Sequence, residues 1–510
     1  MRVQGDGALT RVAGGVVQGT RHGEALLWRG IPYAAPPVGA LRFRAPQPVR
    51  PWAGIRDASR YGNVASQAYR GQFKGVGPGV PSGEDCLTVN VLSTVTARRD
   101  RRGLPVMVFI HGGGYSAGSS QDFAGQGVGF VDSGRVVYVS FNYRLGALGY
   151  LDFSRYSTRK RPIESNLGLR DQIAVLKWVH ENIRSFGGDP HNVTVFGESA
   201  GGNAVTTLMA TPSAAGLFAR AIAQSAPANA VYDRDQAAEW AREYVAILSN
   251  ETAGQFTDAA GLLTAVTAEH LVEAALTLQL RTPDAFAGMF CLAPVVDGVL
   301  LPERPIDRFR AGRAHRVPLI IGTNDREGSV FRGRVDILPK SPVRIRTVFE
   351  RAPARSRPAM QRAYPGLPNV RTAADFGGDY AFWYPSTKVA DFQSRIAAVH
   401  VYRFDIAPRL ARVAGLDATH GMEMLALFDQ GDARIARAMT ALGGRTAFTQ
   451  AGDRMRAYWL DFACTGTLPA SWPAYTEPGR LTLVIDEVDH IDSDPRRDRR
   501  LAWGPFLPDV

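Results

Sequence analysis

Between Phe186 and Gly202 the chain reads FGGDPHNVTVFGESAGG, and no other stretch so narrows the folds open to it. Val193-Thr194-Val195-Phe196 is β-branched and aromatic, as buried strands are, and Ala200-Gly201-Gly202-Asn203-Ala204-Val205 opens a helix. The turn between them has the form Gly-x-Ser-x-Gly. A Cβ at Gly197 or Gly201 would crowd that turn, and Ser199 at its apex must take a strained backbone conformation. The serine hydroxyl is thereby pushed out above the sheet, where it can meet a histidine and a substrate carbonyl. Five-residue matches of this form arise by chance in long chains; the strand before and the helix after give this one its meaning.

The other apolar runs are consistent with that unit. Val106–Ile110, Val136–Ser140, Ala221–Ala223 and Val317–Ile321 are apolar without alternation, which suits a parallel sheet covered on both faces. Leu169–Phe186 places Ile173, Leu176, Val179 and Ile183 at helical spacing. Strands alternating with helices predict a doubly wound α/β fold, the α/β-hydrolase arrangement once the serine turn is included. Near the start, Gly15–Gly19 and Leu26–Gly30 read as an antiparallel hairpin turning at Arg21-His22-Gly23. Residues 230–282 and 342–388 are helical in pattern and are expected to be insertions roofing the catalytic end of a single domain spanning 1–510.

Composition excludes several function classes. The chain has 510 residues, 45% of them hydrophobic and 21% charged, ample for a buried core. Met1–Gly7 lacks the basic-then-apolar pattern of a secretory signal and no run is apolar enough to span a membrane, so a cytoplasmic protein is expected. Cys86, Cys291 and Cys464 are too scattered for a disulfide framework or a metal site. The net charge of +11 comes almost wholly from arginine. Its two dense runs, Arg98–Arg102 and Arg496–Arg500, are each interrupted by aspartate and flanked by loop residues, and neither carries a groove-reading or base-stacking motif. No nucleic-acid partner is expected.

A serine hydroxyl is a poor nucleophile near neutral pH and needs a general base oriented by a third group. On this fold the partners follow the serine in the order acid, then histidine. His270 and His315 precede any plausible acid loop, and His400 begins the strand Val401–Phe404, at its wrong end. His420 follows that strand in the loop Asp417-Ala418-Thr419-His420-Gly421, where a base belongs; His490, near an acidic tail, is the alternative. The strand ending at Ile321 runs into Gly322-Thr323-Asn324-Asp325-Arg326-Glu327-Gly328, so either Asp325 or Glu327 can be the acid, the other capping the turn or lying in solvent. Asp297, in an Asp-Gly turn, is a third candidate. His111-Gly112-Gly113-Gly114-Tyr115 follows a strand, and its glycines let backbone N–H groups approach an oxyanion, with the N–H of Ala200 as a further donor. A phosphate loop would need a following Gly-Lys-Ser/Thr, which is absent.

Taken together these residues resemble the type-B carboxylesterase/lipase family of α/β-hydrolases, whose members include bacterial para-nitrobenzyl esterases, animal carboxylesterases and cholinesterases. The likeness runs from about Gly15 to Tyr475 and points to a bacterial member. Further landmarks are Gly30-Ile31-Pro32-Tyr33-Ala34, Glu84-Asp85-Cys86-Leu87, Asn142-Tyr143-Arg144, Asn166–Gln172 and His420-Gly421-Met422-Glu423. By resemblance the acid is Glu327, the base His420, and the oxyanion donors Gly113, Gly114 and Ala200. It also implies that Glu198 is a buried active-site glutamate, that Ser225 supports the site from behind, and that Arg42–Glu84 and Arg144–Asp171 are structural ion pairs. Where secreted relatives pair the cysteine of Glu-Asp-Cys with one in a preceding segment, this chain has Ala65, leaving Cys86 without a nearby partner. The stretch Ala65–Cys86 also holds no tryptophan to meet a choline headgroup, which argues against cholinesterase activity.

The expectation is a serine carboxylesterase that needs no metal or organic cofactor and works on an ester and water, as a monomer or homodimer. Two alternatives are an amide, carbamate, lactone or thioester hydrolase with the same machinery, and a catalytically silent binding protein. Tyr115, Phe382, Trp383 and Phe428 are candidate pocket aromatics, each equally at home in a plain core.

Overall fold

The computed structural model describes residues 8–73, 75–77, 79–122, 127–252, 258–429 and 434–510. Met1–Gly7, read above for a signal, and 253–257 of the first insertion lie outside the described residues. An eleven-stranded sheet runs through the molecule. Its strands are β1 (Thr20–His22), β2 (Ala25–Pro32), β3 (Thr88–Thr94), β4 (Leu104–Ile110), β5 (Val137–Phe141) and β6 (Gly188–Glu198). They continue with β7 (Arg220–Gln224), β8 (Leu319–Asn324), β9 (Val399–Phe404), β10 (Leu481–Ile485) and β11 (His490–Ser493). The spatial order is β11-β10-β9-β8-β7-β6-β4-β5-β3-β2-β1. The run from β5 through β4, β6, β7, β8 and β9 to β10 is parallel, with antiparallel strands at both edges.

Both faces of the parallel run are buried, which is why its strands lack alternation. Successive side chains still point to opposite sides. Val106, Val108 and Ile110 join one core with α1 (Leu167–Asn182) and α2 (Ala200–Ala210), while Met107 and Phe109 enter a second core on the other side. Phe196, Ile222 and Ile320 join Met107 and Phe109 in that second core.

The stretch 230–282 holds α3 (Arg234–Glu251), α4 (Ala259–Ala265) and most of α5 (Ala268–Ala285), which runs past it. The stretch 342–388 holds α6 (Pro342–Arg351), α7 (Arg357–Ala363), α8 (Val370–Gly378) and the first half of α9 (Tyr384–Gln393). Beyond them come α10 (Met422–Leu427), α11 (Arg445–Thr465) and α12 (Arg497–Phe506). Among the described residues no single helix is long and apolar enough to cross a membrane.

Two sequence expectations need correction. The hairpin partner of β2 is Thr20–His22, whereas Gly15–Gln18 pairs with Leu9–Val12 and Ile55–Asp57 in a separate three-stranded sheet. The chain changes sheets at Gly19, where a Cβ would lie 2.3 Å from the Leu27 carbonyl oxygen and 2.7 Å from the Trp28 ring. Nor is Arg496–Arg500 a run among loops, since from Arg497 onward it opens α12. There Arg496 and Arg499 pair with Asp379, and Arg500 pairs with Asp494.

Candidate active site

Ser199 joins β6 to α2 with φ 60° and ψ −123°, a conformation strained for a residue with a side chain. Main-chain contact holds it there. A Cβ on Gly201 would sit 2.0 Å from the Ile110 carbonyl oxygen, and one on Gly197 would sit 2.6 Å from the same atom. Neither residue has room for any side chain, so the two glycines let β4 and α2 close on the turn. The Ser199 N–H donates to Gln224 O at 3.0 Å, tying the turn to the end of β7.

The loop after β4 lies directly against this turn. A Cβ on Gly112 would be 3.1 Å from the Ser199 Cβ, while Gly113 and Gly114 adopt φ of 106° and 60°. Tyr115 Oη donates to Asn203 Oδ1 at 2.7 Å, pinning the loop to α2, and Tyr143 Oη donates to His111 O at 2.7 Å. Burial lowers the His111 pKa to about 4, against a backbone hydrogen bond to Gly112, so that imidazole is neutral near pH 7. Ala200 is the first residue of α2, and its N–H has no intrahelical acceptor.

His420 Nε2 stands 2.8 Å from Ser199 Oγ and its Nδ1 stands 2.5 Å from Glu327 Oε2. The Glu327 side chain is 1% exposed, and its Oε1 accepts from Ser225 Oγ at 2.6 Å and from the Asn324 N–H at 2.7 Å. The arrangement suits proton transfer from the serine to an imidazole whose tautomer is set by the carboxylate behind it.

Two more carboxylates act on the imidazole, Glu198 by contact and Glu423 through its charge. Glu198 Oε1 is 3.3 Å from His420 Nε2, and Glu423 Oε2 accepts from Asn324 Nδ2, whose other neighbour is Ser225 Oγ. Burial raises the pKa of both Glu198 and Glu423. For His420 burial acts downward, but Glu198, Glu327 and the hydrogen bond to Glu327 outweigh it and lift the pKa to about 9.

The remaining candidates lie elsewhere. Asp325 does not reach the base; its partly exposed carboxylate meets Arg496 Nη2 at 2.9 Å. Asp297 accepts from Ser165 Oγ, Asn166 Nδ2 and the N–H groups of Val299, Leu300 and Leu301, bracing its own loop. His490 is exposed in β11, and His400 packs edge-on against Trp472. Arg42–Glu84 and Arg144–Asp171 pair as the resemblance implied, at 2.5 and 2.7 Å. All three cysteines are free, and among the described residues no cluster of His, Cys, Asp and Glu is arranged to hold a metal ion.

A cavity opens onto Ser199, Ala200 and Gly114. It is walled by Phe73, Phe290, Phe331, Phe382, Met289, Leu292 and Ile337, with Gln279, Thr282 and Pro283 contributed by α5, and none of the described residues lining it is charged. Tyr115 and Phe382 line the cavity; Trp383 lies instead beneath the Arg496 guanidinium, and Phe428 packs with Phe109 and Phe196 in the second core. Phe331 and Phe382 flank the His420 ring at 5.2 and 4.3 Å between centroids. Sequence reading missed Phe331, although it lies one turn beyond Glu327. It also gave no role to Glu423, although the spacing from His420 is helical.

Comparison with known proteins completes the description. Residues 6–499 match the model of the carboxylesterase family. The para-nitrobenzyl esterase of Bacillus subtilis (strain 168) is 36% identical over 500 residues, covering 96% of this chain and 97% of that protein. The fumonisin B1 esterase of Sphingopyxis macrogoltabida is 31% identical, covering 93% and 86%. Among solved structures, a para-nitrobenzyl esterase superposes with a TM-score of 0.83 at 34% identity over 97% of this chain and 99% of that one. A Geobacillus stearothermophilus carboxylesterase superposes with a TM-score of 0.82 at 31% identity, over 97% and 100%.

Proposed function

The chain belongs to the carboxylesterase family, and from that premise we propose that Ser199 is its nucleophile, His420 its general base and Glu327 the acid that orients the base. The protein is a serine carboxylesterase, a carboxylic ester hydrolase of the α/β-hydrolase fold. In the proposed cycle Ser199 Oγ attacks the ester carbonyl as His420 Nε2 takes its proton. The N–H groups of Gly113, Gly114 and Ala200 stabilise the oxyanion, and the imidazolium then protonates the departing alcohol. Water, deprotonated by the same imidazole, attacks the acyl-enzyme and releases the acid and Ser199. Glu198, within reach of His420 Nε2, favours the imidazolium that forms in each half-reaction, and Ser225 holds Glu327 in place.

The observation that carries this reading is the continuous line Ser199 Oγ, His420 Nε2, His420 Nδ1, Glu327 Oε2, with contacts of 2.8 and 2.5 Å. The described cavity wall, apolar for the most part and without a charged side chain among the described residues, supports neutral esters. The test is hydrolysis of para-nitrophenyl esters from C2 to C12, with a phosphonate probe and mass mapping of the adduct. Turnover lost in step with one probe per chain on Ser199 supports the assignment, and an adduct on another residue overturns it. We also propose cytoplasmic residence, supported by the unpaired Cys86, and a monomeric or homodimeric state, to be checked by fractionation and light scattering.

A further inference from the structure

Glu327 and His420 reach the site by unlike routes. Glu327 follows β8 after a short turn, whereas β9 ends at Phe404 and a long loop with the short helix Arg409–Val413 intervenes before His420. The sheet therefore sets the position of the acid directly and that of the base only remotely. Something else must hold the two loops in register.

Arg326 immediately precedes Glu327. Its side chain is 7% exposed, with Nη1 2.7 Å from Asp417 Oδ2 in the histidine loop and Nε 2.8 Å from Asp375 Oδ1 on α8. The Arg326 N–H donates to Ala418 O at 2.9 Å, and Ser329 Oγ donates to Leu416 O. Asp417 itself is held at φ 51°, a left-handed conformation that costs a residue with a Cβ free energy. The guanidinium thus joins the residue before the acid to a strained residue three positions before the base.

We propose that Arg326 is a positioning residue for ester hydrolysis: through Asp417, with Asp375 serving only to anchor it to α8, it locks the acid loop onto the histidine loop and sets the alignment of Glu327, His420 and Ser199. The proposal rests on the triad reading above. Misplacing a catalytic group by about 1 Å can cost on the order of 100-fold in rate, so cutting the bridge should slow chemistry more than it weakens binding.

The test uses the full chain with para-nitrophenyl butyrate, following kcat, KM and Tm. Arg326→Gln should lower kcat at least about tenfold with KM within about twofold, and Arg326→Lys, able to reach one carboxylate, should recover part of the loss. Asp417→Gly removes the carboxylate and relieves the positive φ, so it remains informative if Arg326→Gln does not fold; it should slow kcat comparably. The double variant should lose little kcat beyond Arg326→Gln, because both changes remove the Arg326–Asp417 pair. Asp375→Asn weakens the tie to α8, where Arg326 Nη2 also donates to Arg371 O, and should lower Tm with kcat within about threefold. A normal kcat in both Arg326→Gln and Asp417→Gly, with only Tm reduced, overturns the proposal, as does an Asp375→Asn defect equal to theirs. Glu327→Gln is run in parallel. If it is unimpaired, the triad assignment fails and takes this proposal with it; if it is slow while Arg326→Gln and Asp417→Gly are normal, only the proposal fails.

Discussion

The two sides of the active site are held by different kinds of contact. On the serine side, main chain meets main chain: Gly197 and Gly201 close on Ile110 O, and a Cβ on Gly202 would lie 2.5 Å from Gln224 O. On the acid and base side main-chain contact, such as the Arg326 N–H to Ala418 O and the close approach of Gly328 to Ala374 O, is joined by side-chain ties: Ser225 on Glu327, Arg326 on Asp417 and Asp375, and Arg496 on Asp325 and Asp379. Main-chain contacts have no slack, so one added carbon displaces the whole turn. Side-chain ties can be weakened by degrees, and each loss is felt in proportion to its distance from the imidazole.

The sharpest separation should come from Ser199→Ala, which leaves the turn intact but removes the nucleophile. We expect kcat to fall by about 10⁶-fold, in line with nucleophile removal in other serine hydrolases, with Tm within a few degrees by calorimetry. Gly201→Ala should do the reverse, failing as a fold before it fails as a catalyst. Its Cβ would lie 2.0 Å from a backbone oxygen, so soluble yield and Tm should collapse. A folded and active Gly201→Ala enzyme would break the comparison at its stiffer end.

On the other side the effects should be graded. Glu327→Gln should cost about 10² to 10⁴ in kcat, because the imidazole loses the carboxylate that sets its tautomer and stabilises its cation. Glu198→Gln should act chiefly on pH dependence. In the proposed cycle His420 can take a proton only when neutral, so with its pKa raised to about 9, kcat/KM of the parent should climb through that pH. Removing the Glu198 charge lowers that pKa and moves the limb to lower pH, and an unmoved limb would remove Glu198 from the electrostatics of the base. Asp325→Asn should be mildest, with kcat within about threefold and less than about 1 kcal/mol of stability lost, since Arg496 keeps Asp379 and the Asp325 side chain is 37% exposed.

The same division explains what could be read from the sequence. The serine turn was legible because main-chain crowding demands glycine and the flanking strand and helix carry their own apolar patterns. The mostly parallel sheet was legible because strands covered on both faces lose their alternation. The order of Gly15–Gln18 and Thr20–His22 was not, because two short extended segments on either side of Gly19 pair with whichever edge tertiary contact presents. Arg496–Arg500 read as a surface charge run because nothing in its neighbourhood along the chain shows that Asp379 will lie beside it. Spacing left Asp325 and Glu327 equivalent; in the fold one meets Arg496 and the other His420.

By itself, then, the sequence determined the α/β class, the serine at its strand-to-helix turn, the glycine loop beside it and a short set of partners. Local sterics and periodicity act over a few residues, and their demands are written where they apply. Spacing alone left two carboxylates for the base, and only the resemblance to the family pointed to Glu327 and Glu198; the tertiary structure alone decided that the Glu423 charge also acts on that imidazole, that Phe331 walls the cavity, and that Arg326 bridges two loops. Each depends on burial and on groups far apart along the chain, and a side chain's charge and reach acquire meaning only once folding has chosen its neighbours.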